Sequence, residues 1–460
     1  GTGGGGGRGG TGAGVGGDST AARLLPGVVP AFATALASAE ASPLRVEEAS
    51  LLLAALTAVA EEAPVMAAQA FLDAMPSFAA SLAPASLAAM EAASGKAAGA
   101  AARAVVPPAS RLLHLPFNAV ASDGSSGGGE TTLRNFQEGL LRERLLGGIL
   151  RVLPALEPEE LHSPMGLITR LVLGSSAFAR QFVEHGGLQG TLVKHMLAPQ
   201  NPPSVLVDAL LAVSQLARIS REHYEPIAKA GVVPSVAALL SHADPGVRAR
   251  VCNLIGNMCR HSHFFYDALQ RTGLLQGLVD RCRDSDRTTR KFACFAIGNA
   301  GFHSDTLYEN LRPSVEPLVQ LLADEEEKTR ANAAGALGNL VRNSALLCRD
   351  LVNAGALEAL LELVTRSAAD MMSGAPAAEN SPRGGGGADA GQSPLKIALF
   401  SLGNLCTHRE CRERLLTTNF RENVARLSGI PDPAVHKYIA RIESKLAAGA
   451  SSGARTPAPQ

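Results

Sequence analysis

A Gly-Asn step returns four times at near-regular intervals, and that spacing constrains the fold more than any other feature of the chain. It lies in Leu254-Ile255-Gly256-Asn257-Met258, Ala296-Ile297-Gly298-Asn299-Ala300, Ala336-Leu337-Gly338-Asn339-Leu340 and Ser401-Leu402-Gly403-Asn404-Leu405. The Asn residues are 42, 40 and 65 positions apart. The long interval is one period plus a low-complexity stretch at 367–393 that holds Gly384 to Gly387. A further copy, with Gln215 in the Asn position, lies 42 residues before Asn257. Other positions keep the same register. Gly187, Gly231, Gly273 and Gly355 each open an apolar segment, and Pro313 holds that place in the copy between the last two. Arg248, Arg290 and Arg330 each stand nine residues before an Asn. The spacing predicts a unit made of a short helix, a Gly- or Pro-led helix, an acidic turn and a longer third helix. Asp244, Asp284, Asp286 and Asp324 fall in the turns, where Asp caps a helix or complements its dipole.

Such a unit cannot bury its apolar face alone, so neighbours must stack into a continuous core. A 40- to 42-residue period with three helices predicts an all-α, armadillo- or HEAT-like right-handed α-solenoid, and Gly-Ala-Leu-Gly-Asn-Leu favours armadillo. Composition sets the expected boundaries. Residues 1–20 are a disordered Gly-rich linker, with twelve Gly in the first 17. In residues 21–110, 33 of 90 are Ala, which favours helix. Pro26, Pro30, Pro43, Pro64, Pro76 and Pro84 are expected to cut this region into short pieces. Gly27-Val28-Val29-Pro30 echoes Gly231-Val232-Val233-Pro234, so 21–115 is read as degenerate repeats. A linker at 116–131, the array proper at 132–446 with a disordered insertion at 367–393, and a disordered tail at 447–460 complete the expected layout.

In such a solenoid the third helices line the concave face. Asn257, Asn299, Asn339 and Asn404 then form a row, with His261, His303, Asn343 and His408 four residues on and Arg260, Phe302, Arg342 and Thr407 three on. Phe295 and Phe400 stand four before their Asn. The candidate partner-binding groove is Asn257, Asn299, Asn339, Asn404, Arg260, Arg342, His261, His303, Asn343, Phe295 and Phe400. An Asn amide suits the backbone of an extended peptide, and Arg favours acidic side chains. Alternatively each Asn ties its helix to the next repeat, and the two roles are compatible. Phe295 and Phe400 also read as packing residues. Arg248, Arg290 and Arg330 lie across the helix from the Asn and are expected to pair with neighbouring acidic turns.

The chain offers no catalytic, cofactor or metal site. Poly-Gly at the start matches a phosphate-loop spacing by chance, and no hydrolase, zinc-protease or kinase motif is present. Cys259, His261 and His263 lack finger spacing, and the Cys read as small buried hydrophobes. Lys plus Arg and Asp plus Glu balance at 42 each, which argues against nucleic acid or a membrane surface as partner. The longest apolar run, near Leu51 to Ala60, is too short to span a bilayer. Seven Cys without disulfide-framework spacing suit a cytoplasmic protein. The start at Gly1 suggests a longer parent.

Two runs, Thr288-Thr289-Arg290-Lys291-Phe292-Ala293-Cys294-Phe295-Ala296-Ile297-Gly298-Asn299-Ala300 and Glu327-Lys328-Thr329-Arg330-Ala331-Asn332-Ala333-Ala334-Gly335-Ala336-Leu337-Gly338-Asn339-Leu340-Val341-Arg342-Asn343-Ser344, carry a family resemblance. Their wording resembles the C-terminal armadillo region of the Fused family of serine/threonine kinases, including the plant TWO-IN-ONE kinases. The resemblance implies a non-catalytic scaffold that docks a kinesin-like or other cytoskeletal or ciliary partner. It also implies a kinase domain elsewhere in the parent protein, able to contact the array. A second reading makes the chain part of an active kinase in cilium assembly, Hedgehog-type signalling or cytokinesis. A weaker one is an importin-like carrier, which would want Trp four residues before each Asn; the chain has no Trp.

Overall fold

The computed structural model describes residues 20–37, 44–122, 128–372, 393–427 and 429–452 of the 460-residue chain. Among these residues all regular structure is α- or 3-10 helix. The chain divides into two compact units, residues 1–192 and 193–460. The expected linker at 116–131 does not divide it. Helix Ala100–Ser122 runs through 116, helix Gly128–Arg142 resumes beyond, and both belong to the first unit.

In the first unit, helix Ala100–Ser122 packs on Val46–Glu62 and on His162–Gly174. A second layer runs from Thr20–Ala37 through Pro64–Ser81 to Gly128–Arg142. Proline cuts this region less than expected. Pro64 and Pro84 do open helices, at a position where the missing N–H costs nothing. Pro26, Pro30 and Pro76 instead lie inside helices of 18 residues, and Pro43 lies outside the described residues. An interior proline costs about 3 kcal/mol. Helix Thr20–Ala37 offsets this by burying Leu25, Val29, Ala33 and Leu36 along one stripe, while Pro26 stays on the exposed side. The echo at Gly27 is also overturned, since Gly27 sits mid-helix with no left-handed φ. By length and composition Thr20–Ala37 could cross a membrane, with a mean hydropathy of 1.3 over 18 residues, but it buries one stripe as a core helix does.

The second unit realises the three-helix repeat. One complete copy is Tyr266–Arg271, Leu274–Asp280 with a 3-10 turn Arg281–Arg283, and Arg287–Ala300. Gly231, Gly273 and Gly355 take left-handed φ of +73°, +69° and +72° just before the second helix, a conformation that disfavours other residues. At the expected Gly187, in the first unit, it is Gly186 that takes the turn, at φ +84°. Of the acidic-turn residues, Asp244 and Asp286 cap the third helices, accepting from Val247 N–H at 3.1 Å and Thr289 N–H at 2.7 Å. Asp284 and Asp324 do not cap. They fold the turn by accepting from Asp286 and Glu326 N–H.

The third helices Pro203–Ile219, Pro245–Met258, Arg287–Ala300, Glu327–Asn339, Pro394–Leu405 and Pro433–Ser452 stack in chain order. The Gly of the Gly-Asn step lets them approach. A Cβ on Gly256 would lie 3.2 Å from Ala296 Cα and 2.4 Å from the Phe295 ring, and one on Gly338 would lie 2.8 Å from Ser401 Cα. The expected insertion and tail both begin inside helices, as Ala356–Met372 and Pro433–Ser452 extend into them. Residues 373–392 and 453–460 lie outside the described residues.

Candidate functional site

The Asn row is a set of ties between consecutive third helices. Asn299 Nδ2 donates to Gly256 O at 2.9 Å, Asn339 Nδ2 to Gly298 O at 3.0 Å, and Asn404 Nδ2 to Gly338 O at 3.3 Å. Asn257 donates instead to Ser214 Oγ at 2.8 Å. Each Gly-Asn step therefore does two things. Its Gly admits the next helix and exposes a carbonyl, and the next Asn satisfies that carbonyl. Sequence reasoning stopped at Asn404, but the stack continues. Lys445, 41 residues on, donates to Gly403 O at 2.6 Å in the place of the amide.

A second row reinforces the first. Nε2 of His261, His303 and His408 lies 3.0, 3.1 and 2.6 Å from the carbonyls of Arg218, Arg260 and Val341, where a protonated ring nitrogen donates. Asn343 Nδ2 donates to Phe302 O at 3.1 Å in the same register.

A third row was missed, although its 42-residue spacing is plain in the sequence: Tyr224, Tyr266 and Tyr308. Each is a buried first-helix residue whose hydroxyl donates to the carbonyl of Asn257, Asn299 or Asn339 at 2.8, 3.3 and 2.7 Å. Each also accepts the N–H of His261, His303 or Asn343. The phenols thus close the C-termini of the third helices, where carbonyls otherwise lack partners. Burial pushes the Tyr224 hydroxyl up to about 12.

On the opposite side of the third helices, arginines pair with the next acidic turn, as expected. Arg248 holds Asp284 with two 2.8 Å bonds, and Arg290 Nε holds Asp324 at 2.8 Å. Arg330 keeps only the carbonyls of Asp324 and Glu325. Burial alone would raise the Asp284 carboxyl, but the Arg248 hydrogen bonds, the Asp286 N–H and the Arg248 and Arg281 charges outweigh it and hold it low.

One part of the predicted groove forms a site. Arg342, Asn343 and Asn404 line an open depression of about 360 Å³ together with Thr407 and Arg441. Arg342 stacks on the Phe302 ring, 4.2 Å from its centroid, and Arg441 stacks on Phe400 at 5.2 Å. Arg441 Nη2 also donates to Asn404 Oδ1 at 3.0 Å. Phe400 is further held edge-on by Tyr438, so it is a packing residue that supports the site. Phe295 fills the space over Gly256. Asn257 is buried, at 3% exposure. Asn257, Asn299, Asn339, Arg260, His261, His303 and Phe295 do not line the depression. Arg441 and Lys445 escaped notice because their helix carries no Gly-Asn step.

Among the described residues no group of three or more His, Cys, Asp and Glu is placed to hold a metal. All seven cysteines are buried, and burial pushes the Cys259 thiol up to about 12.

Three-helix units of this period, stacked through a Gly-Asn ladder, define an armadillo-repeat fold. The armadillo/beta-catenin-like repeat family matches residues 313–342. The crystal structure of an engineered protein is similar over 90% of this chain and 99% of its own, with a TM-score of 0.60 and 18% identity. More particularly, the chain is 46% identical over 300 residues to the serine/threonine-protein kinase TIO of Arabidopsis thaliana. That similarity takes in 65% of this chain and 22% of the kinase. The 300 residues matched exceed the 231–407 span over which the resemblance of the repeats is densest.

Proposed function

We propose that the chain is a non-catalytic docking scaffold, the armadillo-repeat regulatory or targeting region of a Fused-like serine/threonine kinase. The observation that carries this is the depression between Glu327–Asn339, Pro394–Leu405 and Pro433–Ser452. Its Arg342 and Arg441 form no ion pair among the described residues and are held in place on aromatic rings. Charges positioned this way and left unpaired suit an acidic segment of a protein partner. The similarity to the serine/threonine-protein kinase TIO, of which the chain spans 22%, supports a kinase domain elsewhere in the parent. The partner we propose, following the family resemblance of the repeats, is a kinesin-like or other cytoskeletal or ciliary protein met in the cytoplasm.

The test is quantitative capture from an extract of dividing or ciliated cells, comparing the 460-residue chain with its Arg342→Glu/Arg441→Glu variant. A cytoskeletal motor retained by the first and lost by the second, at equal helicity by circular dichroism, is the expected result. Identical protein sets on both would remove the docking surface from that face. ATP hydrolysis by the purified chain would contradict the non-catalytic reading.

A further inference from the structure

Positive charge at the depression exceeds what a single carboxylate neutralises. Arg342 and Arg441 line it. Lys445 adds a third cation, bonded to the lining Thr407 Oγ1 at 2.5 Å. None of the three forms an ion pair among the described residues, and the net charge of the whole chain is zero. Elsewhere in the repeats the half-buried cations Arg248, Arg290, Lys291 and Lys396 each have a carboxylate, whereas Arg330 and Arg412 bond only to carbonyls. What sets the depression apart is that three cations meet there with no carboxylate among them. The three cations are also pre-set. Arg342 lies on Phe302, Arg441 is fixed by Phe400 and by Asn404 Oδ1, and Lys445 is fixed by Gly403 O. Thr407 accepts from Lys445, which leaves its hydroxyl hydrogen to donate outward. Burial, and then the Arg441 charge, lower the Lys445 ammonium from its ordinary value, the behaviour of a cation crowded by others.

The geometry points to a phosphate pocket: Arg342, Arg441 and Thr407, backed by Lys445, take the phosphate of a phosphoserine or phosphothreonine in a docked peptide. A phosphomonoester carries about −1.5 to −2 charges at neutral pH and three acceptor oxygens. It therefore matches two guanidinium forks and a hydroxyl better than a carboxylate does. Three cations meet at this one depression, whereas the intervening position of the same row between Arg260 and Arg342 is Phe302, so a single modified side chain fits better than a nucleic-acid backbone. The inference deepens the docking reading by naming the group recognised.

The experiment titrates the full chain with a short Ala-rich phosphoserine peptide, its Ser and Glu counterparts, inorganic phosphate and a single-stranded oligonucleotide, by calorimetry. The phosphopeptide is expected to bind at least tenfold more tightly than the Glu peptide, with no measurable binding of the Ser peptide. Arg342→Gln and Arg441→Gln should each reduce phosphopeptide affinity about tenfold or more. Arg349→Gln, at an 80% exposed arginine that does not line the depression and pairs with Glu410, should not. Arg342 is exposed and lies on the Phe302 ring, so its variant keeps the result readable if Arg441→Gln disturbs folding.

Equal affinity for the Ser and phosphoserine peptides, tighter binding of the oligonucleotide, or full affinity in Arg342→Gln would each overturn the pocket. Phosphatase treatment of a captured partner separates the two readings. Loss of capture supports the pocket, whereas unchanged capture that still depends on Arg342 overturns the pocket and leaves docking intact.

Discussion

The side-chain amide of Asn299 donates to the backbone carbonyl of Gly256 at 2.9 Å, across the boundary between two repeats. The residue that marks the period in the sequence is therefore the one that joins successive periods. Removing the amide leaves a carbonyl in a tight helix–helix contact without a partner, at about 1–3 kcal/mol. Asn299→Ala and Asn339→Ala are each expected to lower the unfolding free energy read from a urea titration by that amount. A stability equal to the parent chain would reassign these side chains from joints to free recognition groups.

The glycine half of the step has its own cost. At Gly338 an added methyl would meet Ser401 Oγ at 2.5 Å and its Cα at 2.8 Å, so Gly338→Ala should destabilise the array by about 1–3 kcal/mol through overpacking. Gly403→Ala, whose methyl would meet only the Arg441 side chain at 3.7 Å, should be close to neutral. Thermal melts of the two variants, run side by side, give the comparison.

The pairing of Arg248 with Asp284 is expected to matter where surface pairs do not. Its side chains are 12% and 2% exposed, against 76% and 68% for Lys229 and Glu225. Asp284→Ala should cost about 3–5 kcal/mol by stranding a partly buried charge, and Glu225→Ala about 0–1 kcal/mol. The Asp284 carboxyl titrates below its ordinary value in the folded chain. Its contribution is therefore present above the unfolded pKa of 3.8 and is lost as pH falls below it. The difference in denaturation midpoint between parent and Asp284→Ala should be smaller at pH 3 than at pH 6.

Alkali should act through the buried phenols and thiols. Tyr224 titrates near 12 in the fold, against 10.0 when free, and Cys259 and Cys406 near 12 against 9.0. Between those values the unfolded chain binds fewer protons, so stability falls as pH rises from 9 towards 12. Tyr224→Phe removes one such group together with its two hydrogen bonds. It should be less stable than the parent at pH 8 and lose less on going to pH 11, as read by urea titration.

The repeat was legible because its signal is chemical and periodic. A Gly that admits a helix and an Asn that satisfies the exposed carbonyl must recur together. Tyr224, Tyr266 and Tyr308 repeat just as regularly, but a buried aromatic reads as packing until its hydroxyl is followed to a helix end. Lys445 was hidden for another reason. A lysine can supply the same hydrogen bond as an amide, so the rung survived while the dipeptide did not. In the Ala-rich region the error was to treat proline as a stop. Pro26 and Pro30 are tolerated inside one helix because Leu25, Val29, Ala33 and Leu36 bury a continuous stripe beside them. The division at Leu192 has no compositional mark at all. The depression draws on three repeats, and of its lining residues Arg342, Asn343, Asn404 and Thr407 were reachable from the Gly-Asn register while Arg441 was not.

Because each joint joins only adjacent units, damage in this half of the molecule should stay local. A loosened tie at Asn339 leaves the bonds of Asn257 and Asn299 untouched. Amide exchange should accordingly report a graded chain of neighbours instead of one all-or-none block, with protection decaying outward from whichever link is cut.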